Sequence, residues 1–145
     1  MTVPPEAVVV AARAWIGTPH VHGAARRGAG CDCLGLVRGV RAGLGLAGPE
    51  RLPPYPPGWA LRGQGETLRA GLARQLPELP ADAALAPGQV LLFRLREAAP
   101  AGHLGILTRA GDCPAFVHAY DRHGVVESPL VAPWARRIVA RYLIA

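Results

Sequence analysis

The chain has 145 residues, half of them hydrophobic and 18% charged, a balance that excludes a disordered polymer. No apolar run is long enough to span a bilayer, and the length allows one domain that buries a sizeable core. The formal net charge is +6 and all 16 basic residues are Arg, which favours anionic partners; the Arg are scattered, without a dense basic run, so no specific nucleic-acid binding is expected.

The first twenty residues, MTVPPEAVVVAARAWIGTPH, carry no basic segment ahead of the apolar stretch and place Glu6 at its start. No cleaved signal peptide is expected, which implies synthesis in the cytoplasm. Residues 4–16 open on two prolines and Glu6 and continue AVVVAARAWI, which predicts a first helix with a broad apolar face. Gly17-Thr18-Pro19 breaks it, and the Gly- and Arg-rich stretch 23–30 reads as a loop. In CDCLGLVRGVRAGLGL the apolar residues recur at helical spacing, predicting a second helix over 32–45. The Pro-rich residues 47–63 read as an irregular surface excursion, followed by a short helix over 64–76.

Beyond Pro87-Gly88 come short β-rich runs: QVLLFRL, HLGILTR, AFVHAY, GVVESPL and RRIVARYLI, separated by Gly, Pro and Asp. Their connections leave no room for crossover helices. The expected fold is therefore α+β, a single domain over 1–145 with N-terminal helices packed on an antiparallel β-sheet.

Cys31, Cys33 and Cys113 cannot all pair, so at least one free thiol is expected. Cys33 stands at the predicted start of the second helix, where unpaired N–H groups and the helix dipole favour a thiolate. It reads either as a nucleophile or as a thiol that fills a core. A nucleophile needs a base, and the base an orienting partner. His103 opens one predicted strand and His118 lies in the next, 118 − 103 = 15 residues on. If Gly111-Asp112 turns the hairpin, the two rings can meet on one face of the sheet, across from the helix that carries Cys33. His103 would then take the thiol proton and later protonate the leaving amine, while His118 fixes its orientation and tautomer. Taken singly, each His reads as a hydrogen-bonded strand residue.

Asp32 reads as a helix N-cap, or as a group that tunes Cys33. Cys31 and Cys113 read as core or surface thiols, with a redox or metal role for Cys31-Asp32-Cys33 as the alternative. A zinc site of Cys31, Cys33, His103 and His118 is a rival reading, although a Cys-x-Cys pair bites one metal less comfortably than wider spacings do. His22 and His123 read as solvated loop residues, and Trp15 and Trp134 as packing. Tyr55 and Trp59 either pack or line a groove from the Pro-rich excursion.

The string GTPHVHGAARRGAGCDCLGLVRGV, followed by PGQVLLF, AGHLGIL and FVHA, resembles the NlpC/p60 family of papain-like cysteine peptidases that cut cell-wall peptides, with the motifs in the family's order. The ending RHGVVESPLVAPWARR further resembles the cell-wall peptidases carried by tailed phages and phage-derived gene transfer agents. The resemblance implies a papain-like fold, with Cys33 as nucleophile, His103 as general base and His118 as the polar residue that orients it. It implies hydrolysis of an amide in the peptidoglycan stem peptide, between D-glutamate and the following diamino acid, through a thioester acyl-enzyme. The Cys33 N–H would help hold the oxyanion, and neither metal nor organic cofactor is required. The implied partners are the stem peptide and the tail or baseplate proteins of a phage-like particle that acts in the periplasm or cell wall. His20 stands where many members carry an assisting Tyr, and an imidazole N–H can donate in its place. Leu34 replaces the common Ser after the nucleophile, and Gln89 the Asp of the Pro-Gly-Asp turn. Two rival functions are a papain-like amidase or acyltransferase on another substrate, and a non-catalytic tail or baseplate component that keeps the fold.

Overall fold

A computed structural model describes residues 3–46 and 65–145. The Pro-rich excursion 47–63, with Tyr55 and Trp59, lies outside the described residues. Helix α1 (Pro5–Arg13) starts on Pro4-Pro5, where a missing N–H costs nothing, and has Glu6 in its first turn and Arg13 in its last, both favourable to the helix dipole. It ends three residues earlier than the apolar pattern suggests, because the N–H groups of Trp15 and Ile16 bond back to Ala12 and Arg13 and tighten the chain toward Gly17. Helix α2 (Cys33–Gly43) buries Leu36, Val37 and Val40 and is capped by Asp32, whose side chain accepts from the Gly35 N–H. Helix α3 (Thr67–Gln75) falls inside the expected 64–76 and buries Leu68 and Leu72.

The stretch expected as a loop contains a small antiparallel hairpin, β1 (Ala25–Arg26) and β2 (Gly30–Cys31). The segment before it runs parallel to β2, with the Cys31 N–H on the Pro19 carbonyl and the Val21 N–H on the Cys31 carbonyl, both at 3.0 Å. Two residues per strand are too few to show period-two patterning.

Strands β3 (Val90–Phe93), β4 (His103–Arg109), β5 (Ala115–Tyr120), β6 (Gly124–Pro129) and β7 (Ile138–Tyr142) form one antiparallel sheet in the order β6-β5-β4-β3-β7. The architecture is thus α+β, with N-terminal helices on an antiparallel sheet. All of β3 is buried, because both faces of the sheet are covered. Val90, Leu92, Leu104, Ile106 and Val117 share a cluster with Val8 and Ala12 of α1 and with Leu36, Val37 and Val40 of α2. Each Val, Leu or Ile of this cluster contributes roughly 1.5–3 kcal/mol on burial. Leu91, Phe93, Leu107 and Phe116 cluster instead with Leu130, Trp134 and Ile138. Trp134 stands on a further short helix, α4 (Ala132–Ala135), between the last two strands, which the residue pattern had left unassigned. The Pro at its start sets the helical turn.

The register of β4 on β5 shifts between Leu107 and Arg109, a bulge at Thr108. Continued from the Ile106–Val117 pair, it brings Gly105 opposite His118 and His103 diagonal to it, on one face. At Gly105 a Cβ would lie 2.7 Å from the Phe116 ring, so the missing side chain leaves that ring its place.

The site's support is tightest where α2 passes the hairpin: a Cβ on Gly35 would stand 1.9 Å from the Ala24 carbonyl oxygen. Gly35→Ala is expected to destabilise the protein by about 2–3 kcal/mol, since the obstacle is backbone rather than a rotatable side chain. Urea unfolding midpoints measure this; a change within about 0.5 kcal/mol would show that the hairpin yields freely.

Candidate active site

Asp32 is 7% exposed and ties two segments together. Its Oδ1 accepts the Gly35 N–H at 2.7 Å and its Oδ2 the Gly23 N–H at 2.8 Å. It is the N-cap, and its charge also acts on the neighbouring thiols. Cys33, at the first position of α2, is partly buried, and its Sγ donates to the Gly102 carbonyl oxygen at 3.9 Å, the residue before His103. Burial and then the Asp32 charge push the Cys33 thiol up to about 12, while the N–H groups of Leu104, Leu34 and Cys33 pull the other way and lose. Burial thus opposes the pull of the helix start toward a thiolate. Cys31 is 0% exposed and held near 11, again by burial and then by Asp32. Cys113 is exposed in the β4–β5 turn.

The structure brings His103 and His118 together, with His103 Nε2 2.8 Å from His118 Nδ1. The other nitrogen of His118, Nε2, lies 2.9 Å from Ser128 Oγ. Ser128 carries no sequence signal of a functional role beyond its place in the GVVESPL run. His103 and His118 are 6% and 1% exposed, so neither can be charged at little cost. Trp134 closes over them, its ring centroid 5.7 Å from that of His103 and 5.2 Å from that of His118. Phe93 and Phe116 complete the apolar surround. Burial, then His118, then His20 lower His103 to about 3; burial and then His123 lower His118 to about 4.

His20 is paired with Cys31 by the parallel bridge, two residues from Cys33, and its Nδ1 lies 3.8 Å from the Asp121 carboxylate. Its charge, after burial and His118, is the third cause that lowers His103. His123 is exposed in the β5–β6 turn, but it stacks on Tyr120, which stacks in turn on His118. His22 is exposed in the turn before β1. Leu34 packs at the margin of the helix-side core. Gln89 Oε1 accepts from Arg141 Nη1 of β7 at 3.0 Å and its Nε2 donates to the Ala84 carbonyl at 2.9 Å. The Gly102 loop is fixed by Glu66, which accepts the Ala101 N–H at 2.9 Å and pairs with Arg94 at 2.6 Å. Those contacts, Ala101 first, hold the Glu66 carboxyl below its usual range.

Among the described residues, no group of three or more His, Cys, Asp or Glu side chains is gathered as a metal site, Cys31 with Cys33, His103 and His118 included. Among them, too, no helix is long and apolar enough to cross a membrane.

No family model and no curated protein matches the chain. Solved structures do. An NLP/P60-family protein of Staphylococcus aureus subsp. aureus Mu50, described as similar to lipoprotein, has 21% identity over 99% of this chain and 43% of its own, with a TM-score of 0.65. The NlpC/p60 domain of the peptidoglycan hydrolase SagA has 22% identity over 88% of this chain and 91% of its own, at 0.57. An NlpC/P60 family protein of Bacillus cereus ATCC 10987 has 14% identity over 97% of this chain and 40% of its own, at 0.66. The chain spans less than half the length of the first and third. At such identities the likeness is one of fold: the chain folds as the NlpC/P60 domains do.

Two outcomes follow from the buried groups. The folded pKa of His103, about 3, and that of His118, about 4, lie below the ordinary 6.5, so the unfolded chain binds protons first and stability falls as pH drops below about 6.5. The urea midpoint is expected to fall between about pH 7 and pH 5, above the carboxylate range, and to fall less in His118→Gln; a midpoint flat over that window would contradict the buried neutral pair. In a Cys113→Ser background, Asp32→Asn keeps a cap but removes the charge, so Cys33 should be alkylated faster by iodoacetamide in mild alkali. An unchanged rate would mean that Asp32 does not act on the thiol.

Proposed function

We propose that the protein is a cysteine peptidase of the NlpC/p60 type that hydrolyses an amide of the peptidoglycan stem peptide, between D-glutamate and the diamino acid that follows. The observation that carries the reading is the 2.8 Å contact between His103 and His118, with the Cys33 thiol bonded at 3.9 Å to the carbonyl of Gly102, the residue before His103. The fold shared with a peptidoglycan hydrolase domain supports the substrate class.

Cys33 Sγ attacks the scissile carbonyl. Burial pushes the Cys33 thiol up and His103 down, so the proton passes to His103 as the sulfur becomes the attacking thiolate. Because His103 Nε2 faces His118, the nitrogen left for the thiol is Nδ1. The Cys33 N–H at the helix start, with His20 as a second donor, takes the developing oxyanion. Imidazolium formation is helped by His118 Nδ1, which accepts from His103. The proton then goes to the leaving amine, and water, activated by the neutral imidazole, releases the acid from the thioester. Asp32 fixes the helix start and, by its charge, discourages a standing thiolate. The proposal extends to a role as a tail component of a phage or gene transfer agent, incorporated in the particle and acting in the periplasm or cell wall; the ending RHGVVESPLVAPWARR supports it.

Mass spectrometry of purified peptidoglycan fragments tests the chemistry. The wild type should give a new amide-cleaved product, Cys33→Ala none, His103→Ala a loss of about 10²-fold or more, and His118→Gln a partial loss. Cleavage by Cys33→Ala, or no product from the wild type, would sink the peptidase reading. Probing purified phage-like particles for the protein checks the tail role separately.

A further inference from the structure

We propose that Ser128 is a positioning residue: by accepting a hydrogen bond from His118 Nε2–H, it holds the histidine pair in the one tautomer that leaves His103 Nδ1 bare. The inference deepens the peptidase reading, on which only its last step, the service to Cys33, depends.

The argument is proton counting along a short chain of atoms. His103 Nε2 and His118 Nδ1 are 2.8 Å apart, and His118 Nε2 and Ser128 Oγ 2.9 Å apart. Each contact needs one proton, and a neutral imidazole carries one proton on one nitrogen. Only two arrangements satisfy both contacts. In the first, His103 Nε2–H donates to His118 Nδ1, His118 Nε2–H donates to Ser128 Oγ, and His103 Nδ1 is a bare lone pair. In the second every proton is reversed: Ser128 donates to His118 Nε2, His118 Nδ1–H donates to His103 Nε2, and His103 Nδ1 carries a proton and cannot serve as base. The two differ by no atom and no movement of a ring, yet only one is competent.

Ser128 is suited to the first arrangement. It is diagonal to His118 on β6, since Phe116 pairs with Ser128 and His118 with Val126. It is partly exposed, so water can take its own O–H while its oxygen receives the His118 proton. His118, by contrast, is 1% exposed, its ring lies among Phe116, Tyr120 and Trp134, and the hydrogen bond of its Nε2 is to Ser128 Oγ. The hydroxyl therefore decides the tautomer of a ring it does not share with the reacting atoms, and through it that of His103.

Long-range ¹H–¹⁵N NMR of histidine-labelled protein near neutral pH reads the tautomers directly, without substrate. In the wild type both His103 and His118 should be protonated at Nε2. Ser128→Ala should mix the two forms of His118 and of His103 and lower kcat about tenfold with KM little changed, and Ser128→Thr should restore both readings. A wild-type His118 protonated at Nδ1, or a tautomer unchanged in Ser128→Ala, would overturn the proposal. Should Ser128→Ala fail to fold, the wild-type and Ser128→Thr spectra still decide it. The stated tautomers in a protein that cleaves no peptidoglycan amide would remove the peptidase reading and support the assignment of Ser128; cleavage by a protein with the reversed tautomers would do the opposite.

Discussion

One extra residue in β4 decides whether this chain has a histidine pair at all. In an antiparallel hairpin, two residues share a face only when their numbers add to the same parity as the paired residues do. Near the turn Arg109 pairs with Ala115, an even sum that would put His103 and His118 on opposite faces. Past Thr108 the pairs are Leu107 with Phe116 and Ile106 with Val117, an odd sum that matches 103 + 118. The bulge is held from both sides. Thr108 Oγ1 bonds the Ala115 carbonyl and the Glu127 carboxylate, and Glu127 is gripped at 3.0 Å by Arg13 at the end of α1. The helix side of the molecule thus fixes a register whose consequence is felt on the opposite face.

The same burial that orders the site works against its chemistry. A helix start offers a thiol unpaired N–H groups, but an apolar setting and a capping carboxylate offer it more resistance. Asp32 is needed where it is, since without it α2 loses its cap and the Gly23 loop its anchor. Mechanically it builds the site; electrostatically it keeps the sulfur protonated. On the imidazole side, burial under Trp134 and the two Phe rings, then the neighbouring His118, disfavours a charged His103.

What the sequence made legible, and what it did not, follows from the range of the interactions. Helix α2 and the five strands could be read because periodic apolar residues bury one helix face or a whole strand, and Asp32 as a cap because capping is local. The closeness of His103 and His118 was readable only as a condition on the hairpin, because a bulge leaves no composition signal, and Thr108 looks like any other strand Thr. Ser128 was invisible for a related reason: it meets His118 through the register of β5 on β6. The hairpin β1–β2 and helix α4 are too short for periodicity and are held by contacts from distant segments. The burial that opposes the helix start at Cys33 was not legible, because a helix start is visible in sequence while the packing around it is not.

Helix α4 follows in the chain every residue that its Trp134 covers, and it is carried between β6 and β7, the two outer strands of the sheet. As the chain leaves the ribosome, the cysteine helix and both histidine strands emerge before the ring that shields them. Trp134 reaches the two rings only as residues 132–142 dock on β3. The cover of the histidine pair is therefore supplied by the last segment of the sheet in chain order rather than by the first helices, and a nascent chain stalled before that segment carries both imidazoles without it.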